Sequence, residues 1–185
     1  DALMEPDEIF AAFDELYRSG KVRQFGISNF SVSQTRLLEG GRYPIAANQL
    51  QFSLMHAGMV DEGLNVNMMK GESVERGGEI LDYCRLKRIT VQAWSPLNFG
   101  MFEGIFVGNE KFPELNAKLE ELAEKYACPP AAIAFAWILR HPAGMQVIAG
   151  TTDPSRLKEL CRGADVELTR EEWYALYLST GKTLP

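Results

Sequence analysis

The sequence predicts an α/β fold in which helices cover a parallel sheet. Two observations carry this prediction. Apolar residues recur at helical spacing in some segments, and short runs rich in β-branched or aromatic residues lie between those segments. Because strands that alternate with helices pair in parallel through crossover connections, the strands are expected to form one sheet. The four predicted strands cover residues 22–27, 46–52, 89–94 and 145–149.

The helices around these strands carry signals at their starts. Ser31 and Thr169 each precede a Gln or Glu by three residues, the pattern of a capping box. Asp153 before Pro154 predicts another helix start, since proline suits the first helical turn. Two long connections, 56–72 and 98–112, follow strands and are predicted to be loops that shape a pocket.

Composition excludes several classes of function. The net charge is −6 and no basic cluster is present, which argues against nucleic-acid binding as the main task. No apolar run has the roughly 18 residues of a membrane span, and no signal-peptide pattern opens the chain. Three cysteines at irregular spacing form neither a disulfide framework nor a metal motif. We therefore expect a cytoplasmic protein without a metal site, and the start at Asp1 suggests a processed product or a fragment.

Polar or glycine-containing segments close all four strands. Ligands of parallel α/β folds bind at this carboxyl edge, because the loops and the helix N-termini converge there. Gly150 would allow close backbone approach, Thr151 and Thr152 would add hydroxyl donors, and the planar Arg156 fork suits a phosphate. The four segments are GISNF (26–30), NQLQ (48–51), AWSPL (93–97) and IAGTT (148–152).

Together with the continuation DPSRLKE, these segments resemble the later half of an aldo-keto reductase, most closely the bacterial oxidoreductases related to the potassium-channel β-subunit branch. The family consists of (β/α)8 TIM barrels that use NADP(H) or sometimes NAD(H). A complete barrel of this kind has about 250 residues. The 185 residues are therefore expected to form a single partial domain, 1–185, holding the C-terminal half of such a barrel with four parallel strands.

The resemblance implies cofactor contacts along the carboxyl edge. Positions near the nicotinamide carboxamide are matched by Ser28, Asn29 and Gln49, and the aromatic residue that stacks on the nicotinamide ring by Trp94. The pyrophosphate positions are matched by Ser95 and Leu97, through side chain or backbone. The adenosine-phosphate end is matched by Gly150, Thr151, Thr152, Arg156 and Glu159.

Each of these residues also has a purely structural interpretation. Ser28 and Asn29 would form a strand end and a turn, Gln49 would be a core glutamine with internal partners, and Trp94 a core tryptophan. Arg156 would be a charge on the helix surface. The ligand interpretation is favoured because a polar residue inside a barrel strand needs a partner, which a ligand amide can supply.

The sequence also departs from the family pattern at the adenosine end. Gly150 stands where many members have lysine, and Leu160 where members often have asparagine or glutamine near the adenine. The choice between NADP(H) and NAD(H) therefore stays open at this point.

The resemblance places the family's catalytic Tyr, Lys, Asp and His before this segment, so no catalytic residue is assigned. His56 either lines the substrate mouth or lies on a surface loop. The predicted function is the cofactor-binding half of an NADP(H)-dependent reductase of aldehydes and ketones, inactive as an isolated chain. The alternatives are a non-catalytic regulatory module that binds a nicotinamide cofactor, and a structural half-barrel that pairs with a second half through its open sheet edges.

Overall fold

The computed structural model describes residues 3–100 and 103–185. Residues 1, 2, 101 and 102 of the predicted domain, and with them part of the 98–112 connection, lie outside the described residues. Helices and strands alternate in the predicted order. The helices are α1 (Pro6–Arg18), α2 (Val32–Leu37), α3 (Gly58–Leu64), α4 (Ile80–Lys87), α5 (Pro113–Lys125), α6 (Pro130–Leu139), α7 (Pro154–Cys161) and α8 (Arg170–Leu178). The strands are β1 (Phe25–Ser28), β2 (Ile45–Gln51), β3 (Thr90–Trp94) and β4 (Gln146–Val147).

The four strands form one parallel sheet, as predicted, and their order in the sheet is β1-β2-β3-β4. Neighbouring strands are also neighbours in sequence, which is the arrangement of consecutive βα units in a barrel. Within the described residues β1 and β4 each pair on one side only, so both edges of the sheet are open. The strand β4 is shorter than predicted and keeps two residues, although the Ile148 amide still donates to the Ala93 carbonyl.

Helices cover one face of this sheet and leave the other face open. On β3, Val91 and Ala93 are buried in the core, whereas Gln92 and Trp94 between and after them are only half-buried. Side chains along a strand alternate between the two faces, so this pattern separates a covered face from an open one. The chemistry-bearing residues of the strands lie on the open face.

The centre of the core is a reciprocal tryptophan pair. The rings of Trp137 (α6) and Trp173 (α8) stack with centroids 4.8 Å apart and planes 10° apart. The indole Nε1 of Trp137 donates to the Trp173 carbonyl at 3.1 Å, and Nε1 of Trp173 donates to the Trp137 carbonyl at 3.0 Å. Both polar ends of the pair are thus satisfied inside an apolar cluster.

The predicted helix starts are confirmed. Ser31 and Thr169 complete capping boxes with the residues three positions on, and Asp153 accepts from the amides of Ser155 and Arg156. One connection differs from the prediction, because 56–72 contains the helix α3 and a 3₁₀ turn at Gly71–Ser73. None of the helices in the described ranges is long and apolar enough to cross a membrane.

Glu172 joins α8 to α5 and gives the stability of the chain a pH dependence. Partial burial alone would raise its pKa, but hydrogen bonds from Lys125 Nζ, the Thr169 amide and the Tyr126 hydroxyl outweigh burial and lower the pKa to about 2. A carboxyl whose folded pKa is depressed contributes stability above its ordinary value of 4.5, and the contribution is lost as the pH falls toward 2.

We expect Glu172→Gln to lower the free energy of unfolding by about 2 kcal/mol at pH 7, because glutamine keeps the cap but loses the charge. Urea denaturation between pH 7 and pH 2 should show wild type and variant converging below pH 4.5. The exposed Glu120→Gln serves as the matched control and should change stability by less than about 0.5 kcal/mol at any pH. A pH-independent difference for Glu172→Gln would contradict this account.

Candidate functional site

Four of the predicted contact residues form one hydrogen-bonded network at the carboxyl edge of the sheet. Trp94 Nε1 at the end of β3 donates to Asn29 Oδ1 at 3.1 Å. Asn29 Nδ2 donates to Ser28 Oγ at 3.2 Å, and Ser28 Oγ donates to the backbone carbonyl of Gln49 at 3.2 Å. The structure therefore joins side chains from the ends of β1 and β3 through a backbone carbonyl of β2.

Backbone conformation explains part of this edge. Asn29 has φ 57°, in the left-handed region that asparagine tolerates better than most residues. Its amide N–H donates to the Gln49 carbonyl at 2.9 Å, which fixes the turn after β1. Ser95 after β3 has φ 51°, a strained conformation for serine. Asn29 thus has a structural reason to be present, in addition to any contact with a ligand.

A glutamine ladder on the open face was not predicted. Gln49, Gln92 and Gln146 are register partners on β2, β3 and β4. Gln49 Nε2 donates to Gln92 Oε1 at 2.9 Å, and Gln92 Nε2 donates to Gln146 Oε1 at 2.8 Å. The signal in the sequence was the two-residue period, which puts Gln92 on the same face as Trp94. Gln49 Nε2 therefore has an internal partner, although the Gln49 side chain is exposed and does not belong to the core.

Gln51 is a further polar residue of the open face that sequence reasoning missed. It ends β2, two positions after Gln49, and its register partner is Trp94. Its Nε2 group is buried and has no hydrogen-bond partner. A buried donor without a partner carries a desolvation cost, which a ligand acceptor at this edge would remove.

The predicted pyrophosphate residues are placed differently from one another. Ser95 is half-buried in the turn after β3, and its carbonyl accepts from the Asn98 amide at 3.1 Å. Leu97 is 7% exposed and packs in the core, while its carbonyl accepts from the Phe106 amide at 3.0 Å. Because the Leu97 side chain is buried, the predicted contact with the pyrophosphate stays a prediction for its backbone.

The predicted adenosine-phosphate residues lie together on the surface around the start of α7. Open space surrounds Gly150, so backbone approach from outside meets no side chain there. Thr151 Oγ1 accepts from the Asp153 amide at 3.2 Å, which leaves its hydroxyl hydrogen free to donate. The remaining side chains are exposed: Thr152, Arg156 and Glu159.

The amides at the start of α7 are occupied by the predicted cap residue, Asp153. Asp153 Oδ1 accepts from the Ser155 amide at 2.9 Å and from the Arg156 amide at 3.5 Å. The hydrogen bond from the Ser155 hydroxyl is the largest cause that lowers the pKa of Asp153, and the two amide hydrogen bonds add to it. The Asp153 carboxylate therefore stays negatively charged. An anion bound here would therefore depend on the side chains of Thr151, Thr152 and Arg156 rather than on the helix start.

The open face also offers space. A groove of about 510 Å³ runs along β1 and β2 and is lined partly by Ser28, Gln49 and Gln92. Two other cavities, of about 480 and 690 Å³, lie in the helix layer around Arg85 and touch none of the predicted site residues. The groove on the open face is thus the cavity that adjoins the polar network.

Several other residues do not join the polar network. Leu160 is 5% exposed and belongs to the core, so it does not present a side chain to an adenine on the surface. His56 is exposed in a turn closed by mutual backbone hydrogen bonds with Ser53. All six tyrosines belong to helices, to the end of α5 or to the segment before β2: Tyr17, Tyr43, Tyr83, Tyr126, Tyr174 and Tyr177.

Comparison with known proteins identifies relatives that are longer than this chain. The 6-dehydroglucose reductase of Agrobacterium fabrum is 30% identical over 184 residues, covering 98% of this chain and 55% of its own length. The Escherichia coli oxidoreductase YdhF is 30% identical over 179 residues, covering 95% and 53%. The chain thus spans about half the length of the curated relatives it matches.

Solved structures share the fold. A thermostable aldo-keto reductase in complex with the inhibitor epalrestat superposes with a TM-score of 0.71 at 23% identity, over 97% of this chain and 56% of that one. The aldose reductase of Giardia lamblia gives 0.68 at 19% identity, over 98% and 53%. The architecture is therefore that of a part of a (β/α)8 barrel. The model of the aldo/keto reductase family matches residues 1–177, and the chain belongs to this family.

Proposed function

We propose that this chain supplies the cofactor-binding half of an NADP(H)-dependent aldo-keto reductase that reduces aldehydes or ketones to alcohols. The observation that carries the proposal is the network of Ser28, Asn29, Gln49 and Trp94 at the carboxyl edge of the sheet. The oxidoreductases among the relatives support the reaction class. In this proposal the carbonyl substrate is a small molecule.

The residues present fit a nicotinamide cofactor along its length. Amides of Asn29 and Gln49 are suited to a carboxamide, the half-buried Trp94 to an aromatic ring, and Arg156 to a phosphate. The distance from the strand ends to the start of α7 is bridged by the short segment 148–153. NAD(H) is the alternative cofactor, because Gly150 offers no charge to a 2′-phosphate.

In this proposal the chain binds and orients, and the cofactor carries the hydride when bound. Trp94 and the two amides hold the nicotinamide end, while Arg156 holds the phosphate end. No tyrosine of the chain lies on a strand or in the turns of the carboxyl edge, which supports a tyrosine proton donor from outside these 185 residues. We accordingly propose that the chain alone does not catalyse carbonyl reduction.

We also propose that the open sheet edges meet further barrel strands. The strands β1 and β4 each lack one neighbour among the described residues, and unpaired strand edges favour association.

The open face of the sheet is a separate surface from its edges. It is lined by polar groups such as Ser28 and Gln49, which suit a ligand site better than an apolar interface.

Tryptophan fluorescence provides the test of the proposed function. NADPH is expected to quench the emission, because the nicotinamide would lie against Trp94 while Trp137 and Trp173 are buried in the core. In Trp94→Phe most of the quenching should be lost, although the aromatic ring keeps part of the binding. Leu37→Ala, at an exposed site on α2, is the matched control and should behave as wild type. Absence of quenching in the folded wild-type chain would refute the proposal.

A further inference from the structure

The glutamine ladder has a direction. Each amide donates its Nε2 group toward the next strand, from Gln49 to Gln92 and from Gln92 to Gln146. A primary amide has two N–H donors and an oxygen with two acceptor positions. Because Gln49 only donates within the ladder, its Oε1 atom is left as an acceptor that no ladder residue uses.

Asn29 has the complementary free group. Its Oδ1 atom accepts from Trp94 and one hydrogen of Nδ2 goes to Ser28, so the second Nδ2 hydrogen is available as a donor. The backbone N–H of Asn29 and the hydroxyl of Ser28 both donate to the backbone carbonyl of Gln49, so both residues are anchored to the end of β2. The edge thus offers one side-chain donor and one side-chain acceptor.

A primary carboxamide presents the matching pair, since its oxygen accepts and its nitrogen donates. For that match the Gln49 amide must keep its oxygen, rather than its nitrogen, toward the ligand. Gln49 is exposed, and an unconstrained side-chain amide at an exposed position can rotate by half a turn and exchange its oxygen and nitrogen. The ladder supplies the missing constraint. Gln92 presents its oxygen to Gln49, and only the nitrogen end of the Gln49 amide can donate to that oxygen.

We propose that Gln92 and Gln146 are positioning residues that hold the Gln49 amide in the orientation that accepts from the carboxamide of a nicotinamide. This inference rests on the proposed function and names the residues that act through Gln49. Gln92 fixes Gln49 directly, and Gln146 fixes Gln92 by accepting from its Nε2 group. Neither residue needs to touch the cofactor.

The experiment compares two ligands by titration calorimetry on the full chain. NADPH carries the carboxamide, whereas adenosine 2′,5′-bisphosphate carries only the end proposed to bind around Arg156. Gln92→Met is expected to weaken NADPH about 5- to 10-fold, the effect of one net hydrogen bond, and to leave adenosine 2′,5′-bisphosphate unchanged. Gln146→Met should act in the same direction with a smaller effect.

Two further variants separate positioning from folding. Gln92→Glu keeps an acceptor for Gln49 Nε2 and should restore NADPH affinity to within about twofold of wild type. Thr90→Val changes the same strand and face two residues from Gln92, outside the ladder, and should not alter either ligand. Circular dichroism and urea denaturation verify that every variant is folded.

The outcomes distinguish the inference from the proposed function. Equal weakening of both ligands by Gln92→Met, or no weakening of NADPH, would overturn the positioning role while wild-type binding stands. A folded wild-type chain that does not bind NADPH would overturn the proposed function and this inference together.

Discussion

Trp137→Ala is expected to lower the free energy of unfolding by about 3–5 kcal/mol, which is the range for removing a large aromatic side chain from a core. Trp137 has 0% exposure and stacks on both Trp173 and Phe52. Its removal also leaves the Trp173 carbonyl without its indole donor. Urea denaturation followed by circular dichroism measures the change.

Trp137→Phe separates the two contributions. Phenylalanine keeps most of the stacking area but loses the hydrogen bond to the Trp173 carbonyl, so we expect a smaller loss of about 1–3 kcal/mol. The control is Leu86→Ala at an 82% exposed position, which should cost less than about 0.5 kcal/mol. A Trp137→Ala variant as stable as this control would contradict the packing described for α6 and α8.

Arg156→Ala is expected to weaken NADPH about 10- to 100-fold while NADH affinity changes less than about twofold. A charge-assisted hydrogen bond to phosphate contributes roughly 1.5–3 kcal/mol, and only NADPH carries the 2′-phosphate. Arg156 is exposed on the first turn of α7, which begins shortly after Thr151 and Thr152 in the chain. Calorimetric titration of both cofactors measures the two affinities.

The geometry at α7 increases the importance of this guanidinium. The amides of Ser155 and Arg156 already donate to the negatively charged Asp153, so they are not free to hold a phosphate. Lys158→Ala, two positions further along α7, is the matched control and should change neither affinity appreciably. An equal loss of NADPH and NADH affinity in Arg156→Ala would refute the role in 2′-phosphate binding.

Strongly local features of the fold were predictable from the sequence. The capping boxes at Ser31 and Thr169 depend on residues three positions apart, and the structure confirms both. The helix α3 was missed because its seven residues include two glycines and its start has no side-chain cap, so tertiary contacts such as the burial of Val60 have to stabilise it. The strand β4 keeps two residues and, in the part of the chain that the structure describes, has a neighbour on one side only.

Site residues were predictable where they belong to a short motif after a strand. They were not predictable where the register between strands decides which side chains are hydrogen-bond partners. Ser28, Asn29, Gln49 and Trp94 come from short segments, and the structure places them in one network. The partners Gln92 and Gln146 depend on which residues of adjacent strands lie opposite each other. By contrast, the cap that Asp153 forms on the amides of α7 was predictable, because Asp153 stands directly before Pro154 at the helix start.

The binding of NADPH to the purified chain, measured by titration calorimetry, tests the central claim most directly. The network at the carboxyl edge and the exposed Arg156 predict saturable binding with one NADPH per chain. Adenosine 2′,5′-bisphosphate should compete for the same site. A folded chain that takes up no NADPH at millimolar concentration would contradict the claim that this half of the barrel binds the cofactor.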